Sequence, residues 1–535
     1  MAERFGYSTD TVASMARDLR GGHCDYFVEP KPGPKTAPAK DAARPMIIEL
    51  RKAGHSIDEI ASALIEAGTP LNRTGISEIC TEEGFDRLWR RPETRRGGPR
   101  RETLPRAAVI DFDDWPTRCD SKVAGLLLTL PDLVALDLPA MVAAAGYPGT
   151  RVIPALSSIL SLLALKLAGK RRVSHVDDLA ADRGAALFAG LVALPKTTAL
   201  TTYSYRLEHH RQARFLTALN QAMARTGLTT GADFDLDFHA IMHWGEDAAL
   251  EKHYVPRRSQ RTRSVLTFFA QDGTTQNLVY ANADLSKADQ ANETLVFCDH
   301  WKAATGADPT RLVLDQRVTT QAVLTKLNER GVTFITLRMR SPSLIKHING
   351  IDPKEFNTVT LDRTGNYRKP RVYEETVTLT DYREPLRQLI ITGLGRDAAT
   401  VLITNDTTTT ARHLIGRYAR RMNIEQRLAE SIRSFHLDSL SSAVPLNVDH
   451  DVALTVLAGA TCAALRSRLG TGYTTATPDT LQRRFITTGG TITTHDTHID
   501  IHLDRRTYSP VLRAANLPTT TIPWWDNRQL RFHYT

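Results

Sequence analysis

The sequence predicts an α/β protein in which a mixed β-sheet follows two helical regions. From residue 233 onward, short segments alternate apolar and polar residues, and amphipathic helical segments lie between them. From about residue 120 to 230 the apolar residues instead recur at three- and four-residue spacing, as on one face of a helix. Three shorter helical segments occupy residues 46–86.

The composition limits the classes of protein to which this chain can belong. Its 535 residues are enough for several domains. A hydrophobic content of 41% and a charged content of 24% are usual for a soluble globular protein. The net charge of +9 favours a polyanionic partner. The five cysteines include no C-x-x-C pair, which argues against a zinc ribbon or a disulfide framework and favours a reducing compartment.

The sequence also predicts a cytoplasmic, nucleoid-associated protein. The first residues, MAERFGYSTD, do not have the pattern of a signal peptide. The most apolar stretch, residues 152–167, is shorter than the ~20 residues that a membrane span needs, and it contains Pro154 and Lys166. We expect a buried core helix there.

Residues 1–45 are predicted to form an N-terminal arm and a basic linker. One helical pattern runs from Thr9 to Leu19, and the turn-rich run KPGPKTAPAK follows it. The PGPK core of that run could lie in a minor groove, although a flexible connector is the simpler interpretation.

Residues 46–86 are predicted to form a helix-turn-helix DNA-binding domain. The helix MIIELRKA ends at Gly54, and Ser56 with Glu59 forms a capping box before the next helix. A short turn leads to the helix RTGISEICTEE, whose first residues would face DNA: Arg73, Thr74 and Ser77. A small helical bundle with another role gives a similar pattern.

Two further regions lead to the sheet. Residues 87–119 are predicted to be a linker, since residues 87–106 contain eight arginines and no apolar period. Such a solvated basic segment suits contacts with phosphates. Residues 120–230 are predicted to be a helical domain that serves packing, because no catalytic grouping is apparent there.

Residues 231–340 have the order of elements of one known fold. The strands DFDLDFHAI, SVLTFFAQ and NLVYANA are followed by a helix, the strand RLVLD, a second helix and the strand GVTFITLRM. Three antiparallel strands followed by this alternation are typical of the RNase H-like nucleotidyltransferase fold. That fold expects one more helix, which arrives only at about 409–434. We therefore predict a core of residues 231–340 and 406–440, a β-rich insertion at 341–405, and a C-terminal region at 441–535.

Acidic side chains on separate elements of this core are candidates for a metal site. Asp315 ends the strand RLVLD, at a sheet edge where ligands commonly bind. Asp233, Asp235 and Asp237 share one face of the first strand, and spacing does not decide between the last two as the ligand. Each carboxylate also has an ordinary interpretation, as a helix cap or on a solvated edge strand.

The third candidate, Glu425, lies on the late helix. Tyr418, Arg421 and Glu425 share one helix face. An ordinary intrahelical ion pair explains the same pattern. The case for Glu425 as a metal ligand therefore depends on the order of the three carboxylates along the predicted fold. Mg²⁺ is a hard cation that takes carboxylate oxygens as ligands.

From about residue 120 to its end, the chain resembles the insertion-sequence DDE transposases that carry a β-strand insertion before the final glutamate. The Y-x2-R-x3-E pattern of that family is matched by Tyr418, Arg421 and Glu425. The resembling stretches are GYPGT (146–150), LFAGLVALPKTT (187–198), DLDFHAI (235–241), EKHYVPRRSQR (251–261), LVLDQRVTT (312–320), TFITLRMRS (333–341), LITND (402–406) and YARRMNIE (418–425).

This resemblance implies that Asp237, Asp315 and Glu425 are a catalytic triad that holds two Mg²⁺ ions, for which Mn²⁺ can substitute. It also implies that Tyr418 and Arg421 contact the DNA of the transposon end. The family pattern continues with a lysine seven residues after the glutamate, whereas this chain has Ile432 there and Arg433 next. Arg433 is thus the candidate cation for the terminal phosphate.

The function implied is Mg²⁺-dependent DNA cleavage at transposon ends and strand transfer into target DNA. The partners implied are double-stranded DNA, namely the terminal inverted repeats and the target, and a second copy of the chain in a synaptic homodimer. Arg257 and Arg258 could track the phosphate backbone, or belong to a solvated basic loop. The alternatives are a catalytically silent transposase-derived DNA-binding protein and an RNase H-like nuclease without strand transfer.

A last motif, HIDIHLD at residues 498–504, puts two histidines and two aspartates on one strand face. A half-buried strand with one solvated face is the favoured interpretation, and metal binding is the alternative.

Overall fold

The computed structural model describes residues 8–22, 37–86, 88, 105–243, 250–255, 260–315, 318, 320–362, 367–395, 398–439 and 445–534. It divides into two compact units, Met1–Thr103 and Leu104–Thr535.

The described part of the first unit is helical. Its helices are α1 (Thr9–Arg20), α2 (Pro38–Lys52), α3 (Ile57–Glu66) and α4 (Arg73–Glu82). Ser56 and Glu59 form the predicted capping box at the start of α3. Helices α2, α3 and α4 close around a small core of seven buried side chains: Ala43, Ile47, Ile60, Leu64, Ile76, Ile79 and Cys80.

Helix α2 corrects the predicted linker. It begins at Pro38, inside the run that was expected to be a basic connector, and it continues through Pro45. Proline is tolerated in a first helical turn, but an interior proline removes a hydrogen bond. Ion pairs with α4 stabilise this early part of the helix. Lys40 pairs with Glu78, and Arg44 lies 2.6 Å from Glu82.

The second unit opens with β1 (Arg118–Ser121) and then a helical region, as predicted. The helices are α5 (Leu130–Ala135), α6 (Leu138–Ala145), α7 (Ala155–Leu167), α8 (Arg183–Phe188), α9 (Thr197–Ser204) and α10 (His209–Arg225). In α7, every residue from Ser157 to Leu167 is buried, which confirms the predicted core helix.

The main sheet of the second unit is mixed, and it contains ten strands within the described residues. Its first half comprises β2 (Asp233–Met242), β3 (Lys252–Val255), β4 (Gln260–Asp272), β5 (Leu278–Asn282), β6 (Arg311–Leu314) and β7 (Thr333–Leu337). Strands β2, β6 and β7 are parallel. The long strand β4 is antiparallel to β2 and carries β3 and β5 on its other edge. Helix α11 (Glu293–Thr305) leads from β5 to β6, and helix α12 (Gln321–Glu329) connects the parallel strands β6 and β7.

The segment predicted as a β-rich insertion extends this same sheet. It begins with a helix that the alternation of residues did not predict, α13 (Pro342–Gly350), which Ser341 caps. Its strands are β8 (Asn357–Thr358), β9 (Arg371–Leu379), β10 (Tyr382–Thr392) and β11 (Thr400–Thr404). Strand β11 pairs antiparallel with β7, and Leu402 lies opposite Leu337. The order across the sheet is β3-β4-β2-β6-β7-β11-β10-β9-β8, with β5 beside β4.

The late helix is two helices, not the single helix expected at 409–434. They are α14 (Ala411–Arg420) and α15 (Met422–Phe435). Arg421 lies between them in a tight turn. Its amide donates to the carbonyl of Tyr418, and its carbonyl accepts from Ile424, so both hydrogen bonds have i to i+3 spacing.

The C-terminal region packs a long helix against a second sheet. Helix α16 (Pro445–Arg468) is followed by α17 (Pro478–Leu481), β12 (Gly490–Thr494), β13 (His498–Leu503), α18 (Ser509–Ala515), β14 (Thr520–Thr521) and β15 (Gln529–Tyr534). The strand order is β1-β12-β13-β15-β14. Within the described residues, the segment Asn447–Arg468 is long and apolar enough to cross a membrane by length and composition, but it is mostly buried, like the core helix of a soluble protein.

Candidate active site around Arg421

Strand β2 brings three aspartates to one face of the main sheet. Its side chains alternate, so Asp233, Asp235 and Asp237 share one side. Phe234 and Leu236 lie between them in the sequence and are fully buried in the core. Because β2 lies between β4 and β6, its acidic face is in the interior of the sheet, where an unpaired carboxylate is costly.

Arg417 of α14 pairs with the first two aspartates. Its Nη1 donates to Oδ1 of Asp235 at 2.6 Å. Its Nε and Nη2 donate to the two carboxylate oxygens of Asp233 at 2.8 Å and 2.7 Å. The side chain of Asp235 is 0% exposed. Burial raises the pKa of Asp235 despite the nearby guanidinium.

Gly273 leaves the space in which Arg417 lies. A Cβ atom at this position would be 2.5 Å from Nη2 of Arg417, so a larger residue would displace the guanidinium. The Gly273 amide also donates to the backbone carbonyl of Asp233 at 2.7 Å. The turn QDGTTQ thus leaves room for the guanidinium of Arg417 and is hydrogen-bonded to the backbone of its partner Asp233.

Arg421, four residues further on, contacts three carboxylates from three separate elements. Its Nη1 lies 3.5 Å from Oδ2 of Asp237 on β2. Its Nη2 lies 3.8 Å from Oδ1 of Asp315, directly after β6. The same Nη2 lies 3.3 Å from Oε1 of Glu425, in the first turn of α15. The structure therefore brings together the three acidic residues that the sequence singled out.

The register of the parallel strands explains why two of these carboxylates meet. Leu236 of β2 lies opposite Leu314 of β6. The next residues along the two strands, Asp237 and Asp315, therefore lie side by side at the point where β6 ends. Of the two aspartates between which the sequence did not decide, Asp235 is paired with Arg417, and Asp237 is the one that lies beside Arg421.

The acidic cluster is partly buried and open on one side. The side chain of Asp237 is 16% exposed, that of Asp315 37% and that of Glu425 49%. Burial raises the pKa of Asp237 to about 6. Arg421 opposes this increase, whereas the charges of Asp315 and Glu425 add to it. The neighbouring acids raise the pKa of Arg421 against the effect of burial, so this cation remains charged.

Arg421 has donors that the protein leaves unused. Within the described residues, its Nε and Nη1 are buried and have no hydrogen-bond partner. Its guanidinium carbon lies 6.0 Å from the centre of the Tyr418 ring, at the outer limit of a cation–π contact. Burial raises the pKa of Tyr418 to about 12, so the phenol is neutral at physiological pH. Nη1 of Arg421 is nevertheless within ion-pair distance of Asp237, 3.5 Å from its Oδ2.

The donor set suits a hard divalent cation, although Arg421 occupies its centre here. Among the described residues, one group of three or more potential metal ligands has all its ligand atoms within 4.8 Å of one another. That group is His495, His498 and Asp500, in the second sheet. The carboxylates of Asp237, Asp315 and Glu425 are spread more widely around the guanidinium. Three carboxylates, one of them with a raised pKa, are nevertheless the oxygen ligands that Mg²⁺ takes.

The other predicted DNA contacts that the structure describes are exposed on two helices. Arg433 is exposed on α15, eight residues beyond Glu425. Arg73, Thr74 and Ser77 are exposed at the start of α4. The guanidinium of Arg73 lies 2.8 Å from the carboxylate of Asp58. The predicted phosphate contacts Arg257 and Arg258 lie outside the described residues.

Sequence reasoning missed Arg417, although a signal for it was present. Arg417, Arg421 and Glu425 are spaced four residues apart, so they follow one face of the helical segment. Sequence reasoning also missed Arg311 at the start of β6. Its Nη1 lies 3.6 Å from Asp233, and its Nη2 lies 3.4 Å from Asp406. No spacing rule connects these last three residues, because sheet pairing brings them together.

No protein-family model matches this chain, and no curated protein matches it.

Proposed function

We propose that this chain is an insertion-sequence transposase of the DDE class. It would cleave DNA at transposon ends in a Mg²⁺-dependent reaction and transfer the freed strand into target DNA. The observation that carries the proposal is the meeting of Asp237, Asp315 and Glu425 around one guanidinium, because these residues are 78 and 110 positions apart in the sequence.

The order of the strands supports an RNase H-like core. Across the sheet the order is β5-β4-β2-β6-β7, with an antiparallel first half and a parallel second half. The carboxylates come from the first strand, from the end of the fourth and from the late helix, as in such a core. Strands β8 to β11 lie in the sequence between β7 and that helix, where the resembling transposases have their β-strand insertion.

The triad residues would bind the metal cofactor, and the cations beside them would position DNA. Asp237, Asp315 and Glu425 would hold the metal, and bound Mg²⁺ would supply the Lewis acid that stabilises charge on the phosphodiester. Arg421, whose Nε and Nη1 make no hydrogen bond within the described residues, would donate to a phosphate oxygen. Tyr418, being neutral, would offer a phenol hydrogen to the same strand.

The first unit would bind the terminal repeats. Helices α3 and α4 are joined by a short turn, and the exposed Arg73, Thr74 and Ser77 begin the second helix of the pair. This is where a helix-turn-helix reads the major groove. The net charge of +9 favours association with DNA, and pairing of two ends favours a homodimer.

The test uses the DNA that flanks the reading frame, searched for terminal inverted repeats. A labelled duplex that carries one repeat and its flank is incubated with the full chain, Mg²⁺ and a target plasmid. We expect cleavage at the repeat boundary and joining to the plasmid. Asp315→Asn should lose both activities while it still retards the duplex in a gel.

The matched control is Asp362→Asn. This aspartate is 80% exposed and pairs with Arg412, away from the triad. The chemical change is the same as in Asp315→Asn, and this variant should cleave DNA like the wild type. Cleavage without joining would identify a nuclease, and retardation without cleavage would identify a silent DNA-binding protein. Either result overturns the proposal, as does full cleavage by Asp315→Asn.

A further inference from the structure

A second group of chemically active side chains lies on the C-terminal sheet, apart from the acidic cluster. The hairpin between β12 and β13 brings two histidines face to face. The amide of His495 donates to the carbonyl of His498 at 2.9 Å, which closes the turn. Their rings stack with centroids 4.3 Å apart and an interplanar angle of 17°. The two imidazoles are therefore held on the same side of the hairpin.

Both imidazoles face one carboxylate. Nε2 of His495 lies 3.2 Å from Oδ2 of Asp500, and Nε2 of His498 lies 3.5 Å from the same oxygen. Asp500 follows His498 by two residues on β13, so the strand places both on its solvated face. The Oδ2 atom and the two nitrogens all lie within 4.8 Å of one another.

A third imidazole fixes the carboxylate from the neighbouring strand. Nε2 of His533 on β15 lies 2.8 Å from Oδ1 of Asp500, the oxygen that the first two histidines leave free. The ring of His533 stacks on that of His502 at 4.5 Å. Nδ1 of His498 lies 3.1 Å from the hydroxyl of Thr497. Each group that faces the shared Oδ2 is thus oriented by a second contact.

The group is accessible from solvent. Arg531 lies opposite Asp500 in register, and its Nη2 donates to Gln529 at 2.8 Å. Asp500 is 14% exposed and His495 is 44% exposed, so an ion could reach the group from solvent.

We propose that His495, His498 and Asp500 form a binding site for a zinc-class transition-metal ion, with His533 as a positioning residue. Two imidazole nitrogens and one carboxylate oxygen are ligands that zinc takes in proteins, with water completing the tetrahedral shell. The hydrogen bond from His533 to the second oxygen of Asp500 is the kind of outer contact that orients a metal ligand. This site is independent of the proposed transposase activity and differs in metal preference, because Mg²⁺ favours oxygen ligands alone.

The test is a titration of the full chain with Zn²⁺, followed by calorimetry and compared with a titration with Mg²⁺. The wild type should show a zinc-binding step that Mg²⁺ does not reproduce. His495→Ala should weaken that step by at least tenfold, and His498→Ala and Asp500→Asn should do the same. His533→Ala should weaken it by about 10- to 100-fold without removing a ligand. Replacement of the exposed His495 carries the least risk to folding.

The matched control is His347→Ala. His347 is 49% exposed and lies 2.9 Å from Glu375, and this histidine–carboxylate pair has no third ligand among the described residues. It should bind zinc like the wild type. The proposal is wrong if the wild type shows no zinc step, if Mg²⁺ reproduces the step, or if the ligand variants bind zinc as tightly as His347→Ala does. Co²⁺ bound in place of zinc would report the same site by its absorption spectrum, which the wild type should show and Asp500→Asn should lose.

Discussion

Replacement of Arg417 by methionine should destabilise the second unit strongly. The guanidinium makes three hydrogen bonds of 2.6–2.8 Å to Asp233 and Asp235. Methionine removes the charge but retains an unbranched apolar side chain. Asp233 is 20% exposed and has Arg311 nearby, so it can recover solvation. Asp235 is 0% exposed and would be left as a buried, unpaired carboxylate. Removal of one partner from such a pair costs about 3–5 kcal/mol, which is the loss we expect.

The loss should depend on pH. The pKa of Asp235 is raised in the folded protein, so the folded state holds this proton more tightly than the unfolded state does. The ionised carboxylate therefore penalises folding at neutral pH, and the penalty decreases as the pH falls through the folded pKa. Without Arg417 the folded pKa rises further. The difference in the free energy of unfolding between the variant and the wild type should consequently be larger at pH 7.5 than at pH 5.

Urea unfolding followed by tryptophan fluorescence measures this effect. The ring of Trp301 lies 4.6 Å from that of Phe234 on β2, so its emission reports on the affected strand. Arg412→Met is the control on the same helix. Its partner Asp362 is 80% exposed, and such pairs contribute about 1 kcal/mol or less. Adding Asp235→Asn to Arg417→Met should restore part of the loss. Equal effects of the two arginine variants, or no restoration, would refute this reasoning.

Three further predictions concern the acidic cluster and the packing around it. Mg²⁺ affinity, measured by calorimetry, should fall as the pH is lowered through about 6, because Asp237 takes up a proton there. Asp237→Asn should abolish cleavage yet raise the free energy of unfolding at pH 7.5 by up to about 3 kcal/mol, since the folded pKa of about 6 lies well above the usual ~3.9. No gain in the free energy of unfolding at pH 7.5 would contradict this. Gly125→Ala should lower the midpoint of urea unfolding sharply, because the added Cβ would lie 1.9 Å from the carbonyl oxygen of Phe485. The control Gly416→Ala adds a Cβ with nothing within 4 Å, and its free energy of unfolding should rise by about 0.5–1 kcal/mol.

The parts of the site that sequence predicted are those fixed by local periodicity. Period-two alternation puts Asp233, Asp235 and Asp237 on one face of β2. The end of an apolar run locates Asp315 just beyond β6. Four-residue spacing aligns Arg421 with Glu425. Each of these inferences needs only the neighbouring residues, and the structure agrees with each.

The parts that sequence missed depend on partners distant in the chain. Helix α2 starts at Pro38 because Lys40 and Arg44 pair with acids of α4, some 40 residues later. The extension of the main sheet depends on the pairing of β11 with β7. The group around Asp500 needs His533 from β15, which the motif HIDIHLD does not contain. Local pattern carries no information on such contacts.

A match between two repeat lengths explains how the aspartates of β2 are divided. Four residues of an α-helix rise about 6 Å, and two residues of a strand rise about 6.7 Å. Two arginines that are four residues apart, one on α14 and one at its junction with α15, can therefore each lie beside one of two aspartates that are two residues apart on β2. Arg417 pairs with Asp235 and its neighbour within the protein, and Arg421 reaches Asp237. Because Arg421 also faces Asp315 and Glu425, three carboxylates share a single guanidinium. At the buried end, Arg417 and Arg311 face the two carboxylates of Asp233 and Asp235. The excess of negative charge is therefore larger at the open end, and an added cation would be held more strongly there than at the buried end.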